Sequence, residues 1–130
     1  DLVSPPNVLA LSVRRDVERV YAAADLVVSS SAYGEGFSNV LAEGMSAGLV
    51  PVATDVGDAG RIVGPTGRVV APRDPMALAA AIRADATLPA DERRNRGLEA
   101  RARIVGSFAR ARAIDAYAKL YREIAVATAL

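Results

Sequence analysis

The residues best suited to chemistry lie in one short segment that contains two glutamates. Glu35 stands between two glycines, Gly34 and Gly36, and Glu43 follows eight positions later. An apolar, β-branched run precedes this segment and a helical pattern follows it. Such a loop lies at the carboxyl end of a parallel strand, where open sheets bind their ligands. Glycines let the backbone turn tightly and let a ligand approach it closely, so we predict a ligand site here.

The helix that follows this loop has a start suited to a phosphate group. Ser38 stands at the predicted N-cap and Asn39 opens the first turn. The backbone N–H groups of a first turn have no partner within the helix and carry partial positive charge, which favours a diphosphate. Asn39, Glu43 and Ser46 share one face of this helix. Another face carries residues suited to packing on a sheet: Leu41, Met45 and Gly48.

Alternating strands and helices must position this segment. Short apolar runs predict buried strands at 7–11, 26–28, 51–54 and 67–70. Helical patterns lie between and after them, at 16–21, 39–47, within 57–63, and at 75–85, 89–105 and 109–127. Asp16 and Asp74 are the predicted N-caps of the first and fourth helices. This order predicts an α/β, Rossmann-like parallel sheet with helices on both faces.

Composition excludes several classes of chemistry. The 130 residues include no Cys and no His, so thiolate chemistry, imidazole bases and most transition-metal sites are absent from the chain. Acidic and basic residues are interspersed and the net charge is +1, which argues against nucleic-acid binding. The helix with Arg93, Arg94 and Arg96 is predicted to expose that basic face. Glu35 and Glu43 remain the candidates for chemistry.

The order Glu-Gly-Phe-x-Asn-Val-x-x-Glu, from Glu35 to Glu43, resembles the signature of the large retaining glycosyltransferase family 4. Segments 23–31, 44–57 and 66–75 resemble the strands and helices that flank this signature in the family, and the tail around Phe108 and Tyr121 resembles its closing helices. One difference is that Pro51 stands one position later than in the commoner Gly-x-Pro pattern. The likeness covers nearly the whole chain.

The resemblance implies the C-terminal, donor-binding half of a GT-B enzyme that uses a nucleotide-diphosphate sugar, UDP- or GDP-linked, with no cofactor and no metal. Glu43 would hydrogen-bond the ribose hydroxyls. Glu35 is the implied catalytic residue, in contact with the donor sugar near the reacting carbon and not as a nucleophile. The amides of the loop and the helix start would contact the sugar and the diphosphate: Gly36, Phe37, Ser38, Asn39 and Val40.

The resemblance also predicts how the chain fits into a longer protein. Residues 1–130 would form part of a donor domain truncated at its N-terminal side, with 107–130 a terminal helix that packs on the domain or crosses from it. The N-terminal acceptor domain and the basic residues for the diphosphate would lie outside. We therefore expect this segment alone to bind donor weakly and to catalyse nothing. The acceptor would be a saccharide, a lipid-linked glycan or a small molecule, and the location cytoplasmic, with weak association at a membrane surface left open.

Other functions fit the residues less well. A signalling receiver domain needs clustered aspartates and a lysine after its fifth strand, but the single lysine is Lys119 in the last helix. A dinucleotide oxidoreductase needs a third glycine that the Gly34-x-Gly36 pair lacks. A nucleotide-sugar epimerase, or a degenerate nucleotide-sugar-binding protein of the same fold, stays open as the alternative.

Overall fold

A computed structural model describes residues 5–128 of the protein. A three-stranded parallel sheet forms its centre. The strands β1 (Leu26–Ser29), β2 (Val50–Thr54) and β3 (Arg68–Val70) stand side by side in that order. Leu26 lies opposite Val50, and Val52 lies opposite Arg68. Every residue of the central strand β2 is buried, as expected of a strand covered on both faces. The predictions for 1–4 and 129–130 fall outside the described residues.

Helices cover both faces of this sheet, as the alternating pattern predicts. They are α1 (Val17–Ala22), α2 (Asn39–Ser46), α3 (Ala59–Val63), α4 (Pro75–Ala86), α5 (Ala90–Ser107) and α6 (Arg110–Thr128), with a 3₁₀ turn at Gly64–Thr66. On one face, α2, α3 and α5 bury apolar side chains against Val27 and Ala53. On the other face, α4 packs against all three strands. The α/β, Rossmann-like fold is confirmed.

Two glycines set how closely α2 approaches its neighbours. A Cβ at Gly44 would lie 2.6 Å from the Cβ of Val27 on β1, so only glycine fits there. A Cβ at Gly97 of α5 would overlap the carbonyl oxygen of Gly48, just after α2. The predicted site uses the backbone N–H groups at the start of α2 and the side chain of Glu43. The two glycine contacts therefore fix the height of the predicted site above the sheet.

The last helix, α6, is largely exposed. Its predicted apolar stripe is more than half exposed at each of four positions: Ile114, Tyr117, Tyr121 and Ile124. Within the described part of the chain, no helix is both long and apolar enough to cross a bilayer. The role of 107–130 in packing or crossing stays a prediction.

Two predictions near the start of the chain are wrong. Residues 7–11 form no strand, and Leu9 is 81% exposed, because no other element covers this short apolar run. Asp16 occupies the N-cap position of α1, but its side chain accepts no capping hydrogen bond from the helix. Its two carboxylate oxygens instead accept hydrogen bonds from the guanidinium of Arg14, at 3.0 and 2.8 Å. A charge-assisted pair between near neighbours competes with the cap. By contrast, Asp74 does cap α4, accepting from the N–H of Ala77.

The prediction that the basic residues of α5 form one exposed face is also wrong for two of them. Arg96 and Arg68 both donate to Oδ1 of Asp85, at 3.0 and 2.9 Å, and Asp85 is fully buried. Arg93 pairs with Asp25 before β1. A buried carboxylate needs such partners because its charge is costly to remove from water. The helical spacing of the arginines could not reveal acidic partners that lie on other elements.

Candidate functional site

The loop between β1 and α2 is held in place by the segment that follows β2. The hydroxyl of Thr54, the last residue of β2, donates to the carbonyl oxygen of Ser31 at 2.6 Å. The N–H of Asp58 donates to the carbonyl oxygen of Gly36 at 3.0 Å. At Gly57, whose φ is +58°, a Cβ would lie 2.7 Å from that same Gly36 oxygen. The carboxyl ends of two neighbouring strands thus fix this loop.

Glu35 lies at the exposed tip of this loop. Gly34, just before it, has a φ of +77°, a conformation that favours glycine. One carboxylate oxygen of Glu35 accepts a hydrogen bond from the hydroxyl of Ser31 at 2.7 Å. The second oxygen has no hydrogen-bond partner among residues 5–128. The carboxylate is therefore oriented from within its own loop and available to a ligand.

The start of α2 presents free backbone donors. Ser38 occupies the N-cap position but its side chain does not cap the helix, and it is buried. The first backbone bond of the helix runs from Ala42 to Ser38, which leaves the N–H groups of the preceding first turn unpaired within the helix. Asn39 and Val40, in that turn, are exposed. The start of α2 can therefore accept an anion through amides and the helix dipole.

Glu43 projects from the second turn of α2 beside a residue of α1. The hydroxyl of Tyr21 donates to Oε2 of Glu43 at 3.1 Å. Burial raises the pKa of the Tyr21 phenol above 10.0, and the hydrogen bond to Glu43 and its negative charge raise that pKa further. Each of these effects disfavours a phenolate, so Tyr21 stays a hydrogen-bond donor at neutral pH.

A cavity of about 590 Å³ opens beside Glu43, between α1, α2 and the junction of α5 and α6. Its walls are mostly apolar: Val17, Tyr21, Phe37, Ala42, Ala47, Ile104, Val105, Phe108 and Ala109. Glu18, Glu43, Ser46 and Arg110 supply its polar groups. This volume lies within the range of small-molecule sites, as does the combination of apolar walls with a few polar groups.

Two aromatic rings form one wall of this cavity. The rings of Phe37 and Phe108 lie 5.7 Å apart at an interplanar angle of 51°. The guanidinium groups of Arg61 and Arg103 approach the Phe108 ring at 5.6 and 5.9 Å. Arg103 also donates to the carbonyl oxygens of Arg61 and Ile62 at the end of α3. Phe108 thereby connects the end of α5 to the loop that carries Glu35.

The structure divides the predicted site residues into two groups. Phe37 and Glu43 line the cavity, whereas Glu35 and Gly36 lie in the loop before α2 and do not line it. Ser38, Asn39 and Val40 form the helix start that follows this loop. The described residues contain no group of three acidic side chains that could share a metal ion; the absence of a metal requirement stays a prediction.

Sequence reasoning missed most of the residues that line the cavity, among them Tyr21 and Phe108. Tyr21 falls in the helical pattern predicted at 16–21, where its apolar ring favours packing, and Phe108 is predicted only as part of the tail. The polar tip of Tyr21 was an available signal, because a half-buried tyrosine hydroxyl usually finds a partner. Nothing in the sequence pairs that hydroxyl with Glu43, 22 positions away.

Two solved structures share the fold of this chain. Sucrose-phosphate synthase from Thermosynechococcus elongatus is 33% identical, with a TM-score of 0.77 over 85% of this chain and 28% of that one. A glycosyltransferase from Rickettsia africae, 24% identical, has the same fold, with a TM-score of 0.78 over 85% of this chain and 30% of that one. The chain thus spans less than a third of the length of either protein.

A search of curated proteins finds no match. The family described as glycosyl transferases group 1 matches residues 3–87, which include the three strands, the loop with Glu35 and all of α2. With the sheet, the glycine-rich loop and the helix of Glu43 all inside the matched region, the chain belongs to the glycosyl transferases group 1 family.

Proposed function

We propose that the protein is a retaining glycosyltransferase that moves a sugar from a nucleotide-diphosphate sugar to an acceptor, and that this chain binds the donor. The observation that carries the proposal is the position of Glu43. Its carboxylate lies at the edge of a large cavity and on the same short helix whose uncapped start lies at the carboxyl edge of the sheet.

The ribose is assigned to Glu43. A carboxylate has two oxygens and about four lone-pair sites, so it can accept hydrogen bonds from two neighbouring hydroxyls. Tyr21 uses one of those sites, on Oε2. The apolar cavity beside the carboxylate, with the Phe37 and Phe108 rings in its wall, suits the flat faces of a nucleobase.

The diphosphate and the sugar are assigned to the loop and the helix start. Glu43 lies four residues beyond Asn39, a rise of about 6 Å along the helix axis. This rise is comparable with the distance from the ribose hydroxyls to the diphosphate of one nucleotide. The amides of Gly36 to Val40 would therefore face the diphosphate when Glu43 holds the ribose.

The chemistry would rest on stabilising the leaving nucleoside diphosphate. Charge develops on the diphosphate as the glycosidic bond breaks, and fixed amide donors at the start of α2 can stabilise that charge. Glu35, oriented by Ser31, would contact the donor sugar near the reacting carbon without attacking it. A UDP- or GDP-sugar as donor, retention of configuration, independence of metal and a cytoplasmic location are parts of this proposal. So is an acceptor domain elsewhere in the protein.

Saturation-transfer NMR with UDP, GDP, ADP and their common sugar conjugates tests the proposal. We expect one nucleotide class to bind, and Glu43→Ala to weaken that binding about tenfold or more, because the ribose hydroxyls lose their acceptor. Glu99→Ala is the matched control, since Glu99 is an exposed glutamate of α5 outside this cavity. Nucleotide binding that is unaffected by Glu43→Ala would overturn the assignment of the ribose.

Retention of configuration needs a separate measurement on an active protein that contains this chain. The anomeric coupling constant of the first product, observed by NMR before it equilibrates, reports the configuration directly. We expect the same anomeric configuration in the product as in the donor. An inverted product would contradict a retaining mechanism but would leave the donor site intact.

A further inference from the structure

One hydrogen bond links α1 to the proposed donor site. The hydroxyl of Tyr21 donates to Oε2 of Glu43 at 3.1 Å across the space between α1 and α2. Within residues 5–128, Glu43 has no other hydrogen-bond partner and no cation within ion-pair distance. Ser46, on the same face of α2, directs its hydroxyl to the carbonyl oxygen of Ala42 instead. Tyr21 alone therefore orients this carboxylate.

The ring of Tyr21 is anchored well enough to hold a partner in place. It is half-buried and packs against the hydrophobic core formed by α2, α3 and α5. Burial and the neighbouring carboxylate both raise the pKa of the phenol, which keeps the proton on the hydroxyl. The hydroxyl thus keeps its proton at neutral pH on a ring that packs against the core, whereas the exposed glutamate has three rotatable bonds of its own.

Orientation matters because a free glutamate loses side-chain entropy when it binds a ligand. With Oε2 held by Tyr21, that entropy is already lost, and Oε1 keeps its lone pairs for a hydroxyl of the ligand. Packing alone does not require the hydroxyl of Tyr21, because a phenylalanine ring would fill the same space. What the hydroxyl adds is the contact to Glu43.

We infer that Tyr21 is a positioning residue of the donor site, which acts on the nucleotide ribose only through Glu43. This inference rests on the proposed function. It assigns a role to a residue of α1, outside the loop and helix that carry the two glutamates. It also implies that a phenylalanine at this position gives a folded protein with weaker nucleotide binding.

A double-mutant cycle measures this role directly. Titration calorimetry or NMR would give the Kd of UDP, GDP and ADP for the wild type, Tyr21→Phe, Glu43→Ala and the double variant. In the wild-type background we expect Tyr21→Phe to raise Kd about five- to tenfold, because Glu43 would then lose its side-chain entropy on binding the ligand. In the Glu43→Ala background we expect a change below about twofold, because the residue through which Tyr21 acts is gone.

Tyr117→Phe is the matched control in this cycle. Tyr117 is an exposed tyrosine of α6 outside the cavity, so losing its hydroxyl should leave Kd unchanged. A Tyr21→Phe effect of equal size in both backgrounds would overturn the inference, because Tyr21 would then act without Glu43. If Tyr21→Phe left Kd unchanged in the wild-type background while Glu43→Ala raised Kd, the inference about Tyr21 would also be overturned. The proposed function would then remain in place.

A second readout needs no ligand. The difference in phenolate absorbance between the wild type and Tyr21→Phe isolates the ionisation of Tyr21. We expect Glu43→Gln to lower the pKa of Tyr21 and Glu18→Gln, on the same helix and in the same cavity, to lower it less. Equal shifts of the pKa of Tyr21 in the two variants would overturn the contact itself.

Failure of all three nucleotides to bind the wild type would overturn the proposed function and, with it, the role of Tyr21 in donor binding.

Discussion

The contact between α5 and the turn after α2 gives a stability prediction with a control in the same helix. Gly97 faces the backbone of Gly48, and a Cβ at Gly97 would overlap the Gly48 oxygen and stand 2.9 Å from its carbonyl carbon. Backbone atoms cannot rotate away as a side chain can. Gly97→Ala must therefore push α5 away from α2, and so loosen the buried Ala100 and Ile104.

The expected cost follows from two opposing effects. Overpacking of a close-packed core costs about 1–3 kcal/mol, and a clash between two backbones lies at the upper end. Alanine is about 1 kcal/mol better than glycine within a helix, which offsets part of this cost. We therefore expect Gly97→Ala to lower the free energy of unfolding by about 2 kcal/mol.

Gly106→Ala supplies the control, because Gly106 lies in the same α5 and a Cβ there would meet nothing within 4 Å. It should leave the free energy of unfolding unchanged or raise it by up to about 1 kcal/mol. Urea unfolding followed by circular dichroism measures both variants. Equal effects of the two substitutions would refute the claim that this glycine contact sets the spacing of α2 and α5.

Two further predictions concern charged and titrating groups. Asp85→Asn should lower the free energy of unfolding by about 2 kcal/mol, because the fully buried carboxylate accepts from two arginines, Arg68 and Arg96. Glu92→Gln, which removes only the charge of the exposed partner of Arg96, should lower the free energy of unfolding by no more than about 0.5 kcal/mol. Chemical unfolding of the two variants measures this difference. The raised pKa of Tyr21 means that its neutral form stabilises the fold. That contribution should be complete below pH 10.0 and decline as pH rises through the folded pKa, so the stability advantage over Tyr21→Phe should shrink at alkaline pH.

The strands and helices that frame the site were predictable because their signals are local. The β-branched runs before Ser29 and Thr54, the Asp74–Pro75 cap and the glycine-rich loop each define an element by neighbouring residues alone. Residues 7–11 have the same apolar character but no covering layer, and a sequence pattern cannot reveal that difference. The predicted strand there failed for this reason.

The side-chain contacts were much less predictable because they join distant positions. Asp85 of α4 forms ion pairs with Arg68 of β3 and Arg96 of α5. Tyr21 of α1 donates a hydrogen bond to Glu43 of α2. Such pairs depend on the packing of helices on the sheet, which the sequence specifies only through the whole fold. The positions of Glu35 and Glu43, in contrast, follow from the loop and helix that carry them.

The central claim, that Glu43 holds the ribose of a nucleotide donor, is tested most directly by removing one hydroxyl of the ligand. Kd would be measured for UDP, GDP and ADP and their 2′-deoxy counterparts, with the wild type and with Glu43→Ala. For the nucleotide that binds, we expect the wild type to lose about tenfold in affinity without the 2′-hydroxyl, since its hydrogen bond to the charged carboxylate of Glu43 is lost. The affinity of Glu43→Ala should fall less than about twofold when the 2′-hydroxyl is removed. An equal loss in both proteins would contradict the account, because the ribose would then lie elsewhere.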